Sequence, residues 1–157
     1  MASEIQAPYK FDKIPGVTYV FLAGSIETGI AEDWQQDLIE FFKNEDRVCF
    51  LNPRREDWDS SWKQTIDDPQ FKEQVDWELS SLEKSDMIVM YFDPNTKSPI
   101  SLLEFGLYCM TKKMTVCCPE GFWRKGNVDV VCDRYETPTA CSLLALKYAI
   151  KFKIETA

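Results

Sequence analysis

Four short apolar, β-rich runs punctuate this chain, each followed by residues whose apolar positions recur at helical spacing. Val17–Ala23 (VTYVFLA), Arg47–Leu51 (RVCFL), Met87–Phe92 (MIVMYF) and Met114–Cys118 (MTVCC) are close to continuous in apolar character. A strand with one wet face alternates; these runs predict strands covered on both faces. Between them, Ala31, Trp34, Leu38, Phe41 and Phe42 predict an amphipathic helix from about Ile30 to Asn44. Phe71, Val75, Leu79 and Leu82 mark the buried stripe of a second helix, opened by Asp68-Pro69 as N-cap and first helical residue and ending near Lys84. Ser98-Pro99 opens a third by the same device, running to about Cys109. A short helix is expected around Val128–Arg134 and a last one from Cys141 to about Lys151.

Strands alternating with helices predict an α/β fold: a small, doubly wound, mostly parallel sheet of about five strands with helices on both faces. The expectation is one domain over 1–157, with residues 1–16 extended or partly flexible. Ligands of such sheets sit outside the carboxyl ends of the strands, where the strand order reverses. In a flavodoxin-like order that crevice lies between the loops after the first and third of the four runs. Gly24–Gly29, Asp93–Glu104 and the loop before Asn127 therefore carry the most functional weight. The polar, Trp-studded stretch NPRREDWDSSWKQTIDD is the longest without periodicity, a length typical of lids and binding loops.

Composition removes whole classes of chemistry. There is no histidine, which excludes Ser-His-Asp and Cys-His nucleophile pairs and His-ligated zinc. The six cysteines form no C-x-x-C pair and sit mostly among apolar neighbours, as buried thiols do in a reducing compartment. No metal site and no cofactor is expected. A net charge of −8 disfavours nucleic acid polymers and anionic membranes. No apolar run approaches the ~18 residues of a membrane span, and MASEIQAPYKFDK lacks a signal-peptide core, so a cytoplasmic protein is expected. Catalysis, if present, must run on carboxylates, hydroxyls, amides and Lys or Arg.

Gly24-SIET-Gly29 has the spacing of a phosphate loop, but Ile30-Ala31 stands where the Lys-Ser/Thr pair would be. Gly24 and Ser25 can still line a small polar pocket, or simply form a strand-to-helix turn. Glu104 is the sharper candidate. Ser101-x-x-Glu104 reads as a capping box, yet Pro99 puts the cap at Ser98 and leaves Glu104 inside a helix otherwise apolar (PISLLEFGLY). A carboxylate there either faces a crevice or costs several kcal/mol to bury. Facing a crevice without histidine partners, it suits attack on an electrophilic sugar carbon. Asp93 falls at the carboxyl end of its strand but also within a plain Asp-Pro-Asn turn. Asp86 falls at the opposite end, and position alone reads it as part of a solvated turn. The Trp and Arg residues of NPRREDWDSSW and FWRKGN fit base stacking or phosphate contact, and equally loop anchoring.

Taken in order, FLAGSI, NPRR and DW, F-x-x-Q-V-x-W-E-L-x-x-L-E-x-x-D, SP-x-x-LLE-x-G-L-Y and FWRKGNVD resemble the nucleoside 2-deoxyribosyltransferase-like family, from about Tyr19 to Arg134. The resemblance implies an enzyme that cleaves the N-glycosidic bond of (deoxy)nucleosides through a glycosyl-Glu intermediate and transfers the sugar to another base. It implies Glu104 as the nucleophile and Asp86 as a substrate-contacting, proton-transferring residue, in conflict with the positional reading of Asp86. It also implies that Asn127 is donated across a subunit interface, hence a homodimer or higher homo-oligomer. Where transferases often carry a first-strand Tyr bonded to the catalytic Glu, this chain has Phe21; whether Tyr19, on the same strand face, compensates is left open. Ser98 stands where some transferases place a base-contacting Asp. A Ser there is closer to the related 2'-deoxynucleoside 5'-monophosphate N-hydrolases, where it helps bind the 5'-phosphate, with Arg124 and Lys125 as available counter-charges. A nucleoside or nucleotide is thus the expected small-molecule partner, hydrolysis of the nucleotide the alternative reaction, and a non-catalytic nucleotide-binding sensor the alternative of another class.

Overall fold

The computed structural model describes residues 1–27, 30–55 and 61–157. Its sheet is parallel throughout and contains β1 (Ser3–Gln6), β2 (Thr18–Gly24), β3 (Val48–Asn52), β4 (Met87–Tyr91) and β5 (Met114–Cys117) in the spatial order β1-β3-β2-β4-β5. The helices are α1 (Trp34–Phe41), α2 (Pro69–Lys84), α3 (Pro99–Tyr108), α4 (Lys125–Tyr135) and α5 (Leu143–Thr156). The four expected strands are all present. The fifth comes from the N-terminal stretch expected only to be extended: Ser3–Gln6 adds to the edge of β3, Ser3 opposite Cys49.

Every residue of β2, β3 and β4 is buried, as their unbroken apolar sequences require. Successive side chains point to opposite faces, and the core divides accordingly. Tyr19, Phe21 and Ala23 of β2, with Ile88 and Met90 of β4 and Phe92 just beyond it, meet Trp77 and Leu82 of α2, Phe105 of α3, and Val128 and Cys132 of α4. Val20, Leu22, Val89 and Tyr91 meet Trp34, Leu38 and Ile39 of α1 and Leu146, Ile150 and Ile154 of α5.

Helix boundaries follow their caps more than their apolar periods. Asp33 caps α1 by accepting from the Gln36 amide, which cuts the expected Ile30–Asn44 span to Trp34–Phe41. Asp68 caps α2 by accepting from Gln70 and Phe71, with Pro69 in the first turn. Ser142 caps α5 through the Ala145 amide, so that helix starts after Cys141 and runs past Lys151. The buried side of α2 also differs from expectation: it is Gln74, Trp77, Ser81 and Leu82, while Phe71, Val75 and Leu79 are only partly buried. Trp77 turns the helix, because its indole packs on Phe21 of the sheet and donates to the Tyr9 carbonyl at 2.8 Å. The flank carrying Phe71, Val75 and Glu78 is thereby left partly open. Gly29 and residues 56–60, with Asp57 and Trp58, lie outside the described residues.

Candidate active site

The strand order reverses between β2 and β4, and the loops leaving their carboxyl ends are bonded to each other. Gly24 sits opposite Tyr91 with φ of +133°, and a Cβ on it would lie 2.1 Å from the Tyr91 carbonyl oxygen. Only glycine serves there, for backbone angle and for space. The next residue, Ser25, donates its amide to the same Tyr91 carbonyl. Its hydroxyl accepts from the Asp93 amide at 2.9 Å and lies 2.9 Å from the Thr96 hydroxyl and 2.6 Å from that of Ser98. Thr96 and Ser98 are 2.7 Å apart, and Thr96 also donates to the Asp93 carbonyl. Three hydroxyl hydrogens serve these contacts, so the cluster has none to spare.

This cluster corrects the expected role of Ser98 as a helix cap. Its backbone is left-handed (φ 46°), its side chain makes no capping bond, and its hydroxyl is spent on Ser25 and Thr96. Its amide donates instead to a carboxylate oxygen of Glu27 at 2.9 Å.

In the second turn of α3, Glu104 is 9% exposed. Its carboxylate does not fold back onto the Ser101 amide, and no described residue hydrogen-bonds to it. Burial, and secondarily the charge of Glu78, push its pKa up to about 8. A nearly buried carboxyl without a partner among the described residues is held uncharged by its surroundings.

Glu78 of α2 was not singled out from the sequence. Desolvation raises its carboxyl to about 7, opposed by a hydrogen bond from Gln74. Gln74, 3% exposed and one turn earlier, donates from Nε2 to Glu78 at 2.9 Å and to the Pro53 carbonyl at 3.1 Å. Its Oε1 accepts from Arg55 Nη1 at 3.2 Å, and the Arg55 guanidinium lies 5.0 Å from the Trp62 ring centroid. The NPRR segment thus reaches the second carboxylate through one carboxamide. A signal existed: Glu78 lies three residues after Val75 and four before Leu82, on the apolar stripe itself.

The remaining candidates fall elsewhere. Asp86 opens β4 at the amino end of the sheet, where it accepts from the Tyr19 amide at 2.8 Å and pairs with Lys13. Seven residues at ~3.3 Å each put it roughly 23 Å along the chain from Asp93, at the other end of β4; the charge that acts on Glu104 is that of Glu78. Phe21 is fully buried against Trp77 and supplies apolar floor. Tyr19 does not replace the missing hydroxyl, because its own is bonded to Ile14 and Asp12 near the amino end. Arg124 and Lys97 lie over the Trp123 ring, and Lys125 pairs with Asp129. Asn127 is exposed in the first turn of α4. Among the described residues no cluster of acidic or cysteine side chains fits a metal ion. No described helix is long and apolar enough to cross a membrane.

Fold and site together define an α/β domain of the doubly wound class with two desolvated carboxyls, Glu104 on α3 and Glu78 on α2. The family described as nucleoside 2-deoxyribosyltransferase like matches residues 17–122, well over half of the 157-residue chain. The chain belongs to that family. No curated protein sequence matches it significantly.

Proposed function

We propose that the protein cleaves the N-glycosidic bond of a (deoxy)nucleoside with Glu104 as nucleophile and passes the sugar to a second base. The observation that carries this reading is the Glu104 carboxyl, buried in an apolar helix, unpartnered among the described residues and coupled to Glu78. In its ionised form a Glu104 oxygen bonds to the anomeric carbon as the carbon–nitrogen bond breaks. The bonding pair leaves with the base, which takes a proton from Glu78. An incoming base then attacks the glycosyl ester and releases Glu104, while Glu78 recovers a proton. Two inversions give net retention.

Glu104 and Glu78 titrate as a pair; the active form carries one proton between them, which rests mainly on Glu104, and reaction proceeds from the tautomer with that proton on Glu78. Water in place of the second base gives the hydrolase reading. Incubation of a deoxynucleoside with and without a free acceptor base tests both. Exchange of the base, lost in Glu104→Gln with the fold retained, supports transfer; release of base at an undiminished rate without acceptor supports hydrolysis. Ligand stabilisation without product would favour a sensor.

Self-association belongs to the same reading. Ile100, Leu103 and Leu107 of α3 and Met110 just after it are exposed apolar side chains, and Asn127 is exposed on α4. A homo-oligomer that covers these side chains and lends Asn127 to a neighbour is the proposed assembly. Sedimentation of the full chain and of Leu103→Lys tests it, the variant being expected to dissociate.

A further inference from the structure

We propose that Arg55 is a positioning residue for proton transfer at this site: its guanidinium fixes the sense of the Gln74 carboxamide, so that Gln74 offers Glu78 an N–H and not its carbonyl. The inference rests on the glycosyl-transfer reading above and adds to it the residue that sets the strength of the acid. A carboxamide has two unlike ends, and half a turn about its last bond exchanges donor for acceptor at nearly the same place. Gln74 is buried on α2. Its Nε2 donates to the Pro53 carbonyl at 3.1 Å and to a Glu78 carboxylate oxygen at 2.9 Å, which uses both amide hydrogens. Its Oε1 accepts from Arg55 Nη1 at 3.2 Å.

Of these partners, only Glu78 can change what it offers. The Pro53 carbonyl accepts and the guanidinium donates at any working pH. Protonated Glu78 can donate to a carbonyl, so it gains from a turned carboxamide. Turning sets Oε1 against the Pro53 carbonyl and Nε2 against the guanidinium, two repulsive contacts, the second with a full charge. Trp62 steadies that charge, its ring centroid 5.0 Å from the Arg55 guanidinium. The carboxamide is thereby held in the sense that favours charged Glu78, the form left once the base has taken its proton. The other charged group coupled to Glu78 is Glu104 of α3, which as a like charge works in the opposite sense. Arg55 acts across Gln74, one carboxamide removed from the acid.

The test reads the side-chain carboxyl of Glu78 by carbon-13 NMR in the full chain carrying Glu104→Gln, where it titrates alone. Adding Arg55→Met, or Arg55→Ala should the first not fold, is expected to raise the midpoint by about 1 pH unit, the worth of one modest hydrogen bond. With Gln74→Leu also present, the Arg55 substitution should add nothing, because the path runs through the carboxamide. An unchanged midpoint, or the same rise in the Gln74→Leu chain, overturns the proposal. With Glu104 restored, kcat/KM for a deoxynucleoside should fall about tenfold in the Arg55 variant. A 4-nitrophenyl 2-deoxyriboside, whose leaving group needs no proton, should lose less than about threefold. Equal losses on the two compounds also overturn it. A wild type inactive on both sinks the glycosyl-transfer reading alone, since the titration needs no turnover and still decides whether Arg55 sets the acid.

Discussion

Two regions of the molecule treat their carboxylates in opposite ways. At the amino end of the sheet, Asp86 has a backbone amide and an ammonium as partners, and Lys113 caps α2 by donating to the Leu82, Glu83 and Ser85 carbonyls at 2.6, 3.0 and 2.9 Å. Midway along α3 and α2, Glu104 has no partner among the described residues, and Glu78 has one amide N–H that only partly offsets its burial. A satisfied carboxylate fixes the chain; an unsatisfied one, held uncharged by its surroundings, stores reactivity. All three are carboxylic acids, and it is their surroundings that separate structural acid from chemical acid.

The largest effect that tests this contrast is at Glu104. Glu104→Gln should lower base exchange about 10³-fold or more while leaving the circular dichroism spectrum unchanged. The same variant should gain stability at alkaline pH. Folding raises the Glu104 pKa from 4.5 to about 8, so the folded state holds a proton that the unfolded chain releases. Stability from this group is therefore full below about pH 4.5 and lost as pH rises through 8. Urea unfolding at pH 5.5 and 8.5 should show a fall in the wild type that Glu104→Gln flattens by a few kcal/mol.

Next comes Glu78→Gln, expected to cost about 10²-fold in kcat/KM. In the wild type the pair should give a bell-shaped pH profile with its maximum between 7 and 8. The variant should lose the alkaline limb, because no acid remains to be deprotonated. A smaller effect is expected for Gln74→Leu, about tenfold in kcat/KM, together with an acid limb moved to higher pH as Glu78 loses the N–H that favours its charge.

Asp86→Asn should stand last: activity within about threefold of wild type and stability lower by ~1 kcal/mol, from the weakened bonds to Tyr19 and Lys13. An Asp86→Asn protein that folds normally but is inactive would erase the contrast between the two regions.

Much of this architecture is legible in the amino-acid order, and the reasons are local. Buried parallel strands announce themselves as continuous apolar runs, and Asp68-Pro69 marks the start of α2 to the residue. β1 is illegible because SEIQ carries no strand pattern of its own; its pairing with β3 is a tertiary event. The site is half legible. Glu104 stands out because its neighbours are apolar, and Gly24 because a turn must follow β2. Glu78 lay hidden in a helix rich in acids, where only its phase relative to Val75 and Leu82 distinguishes it from solvated Glu73 and Glu83. Ser98 misleads for a related reason: Ser-Pro is a sound cap signal, but three hydroxyls meeting from two loops outcompete the cap.

The contact between Gly24 and the Tyr91 carbonyl has a consequence for how such a pocket changes through descent. With main chain abutting main chain at the seam, no side chain can be grown from the floor to reshape the cavity. Novelty in the accepted base or sugar must come from the walls, the loops that carry Glu27, Arg55 and Trp123, while the foundation stays invariant beneath successive remodellings.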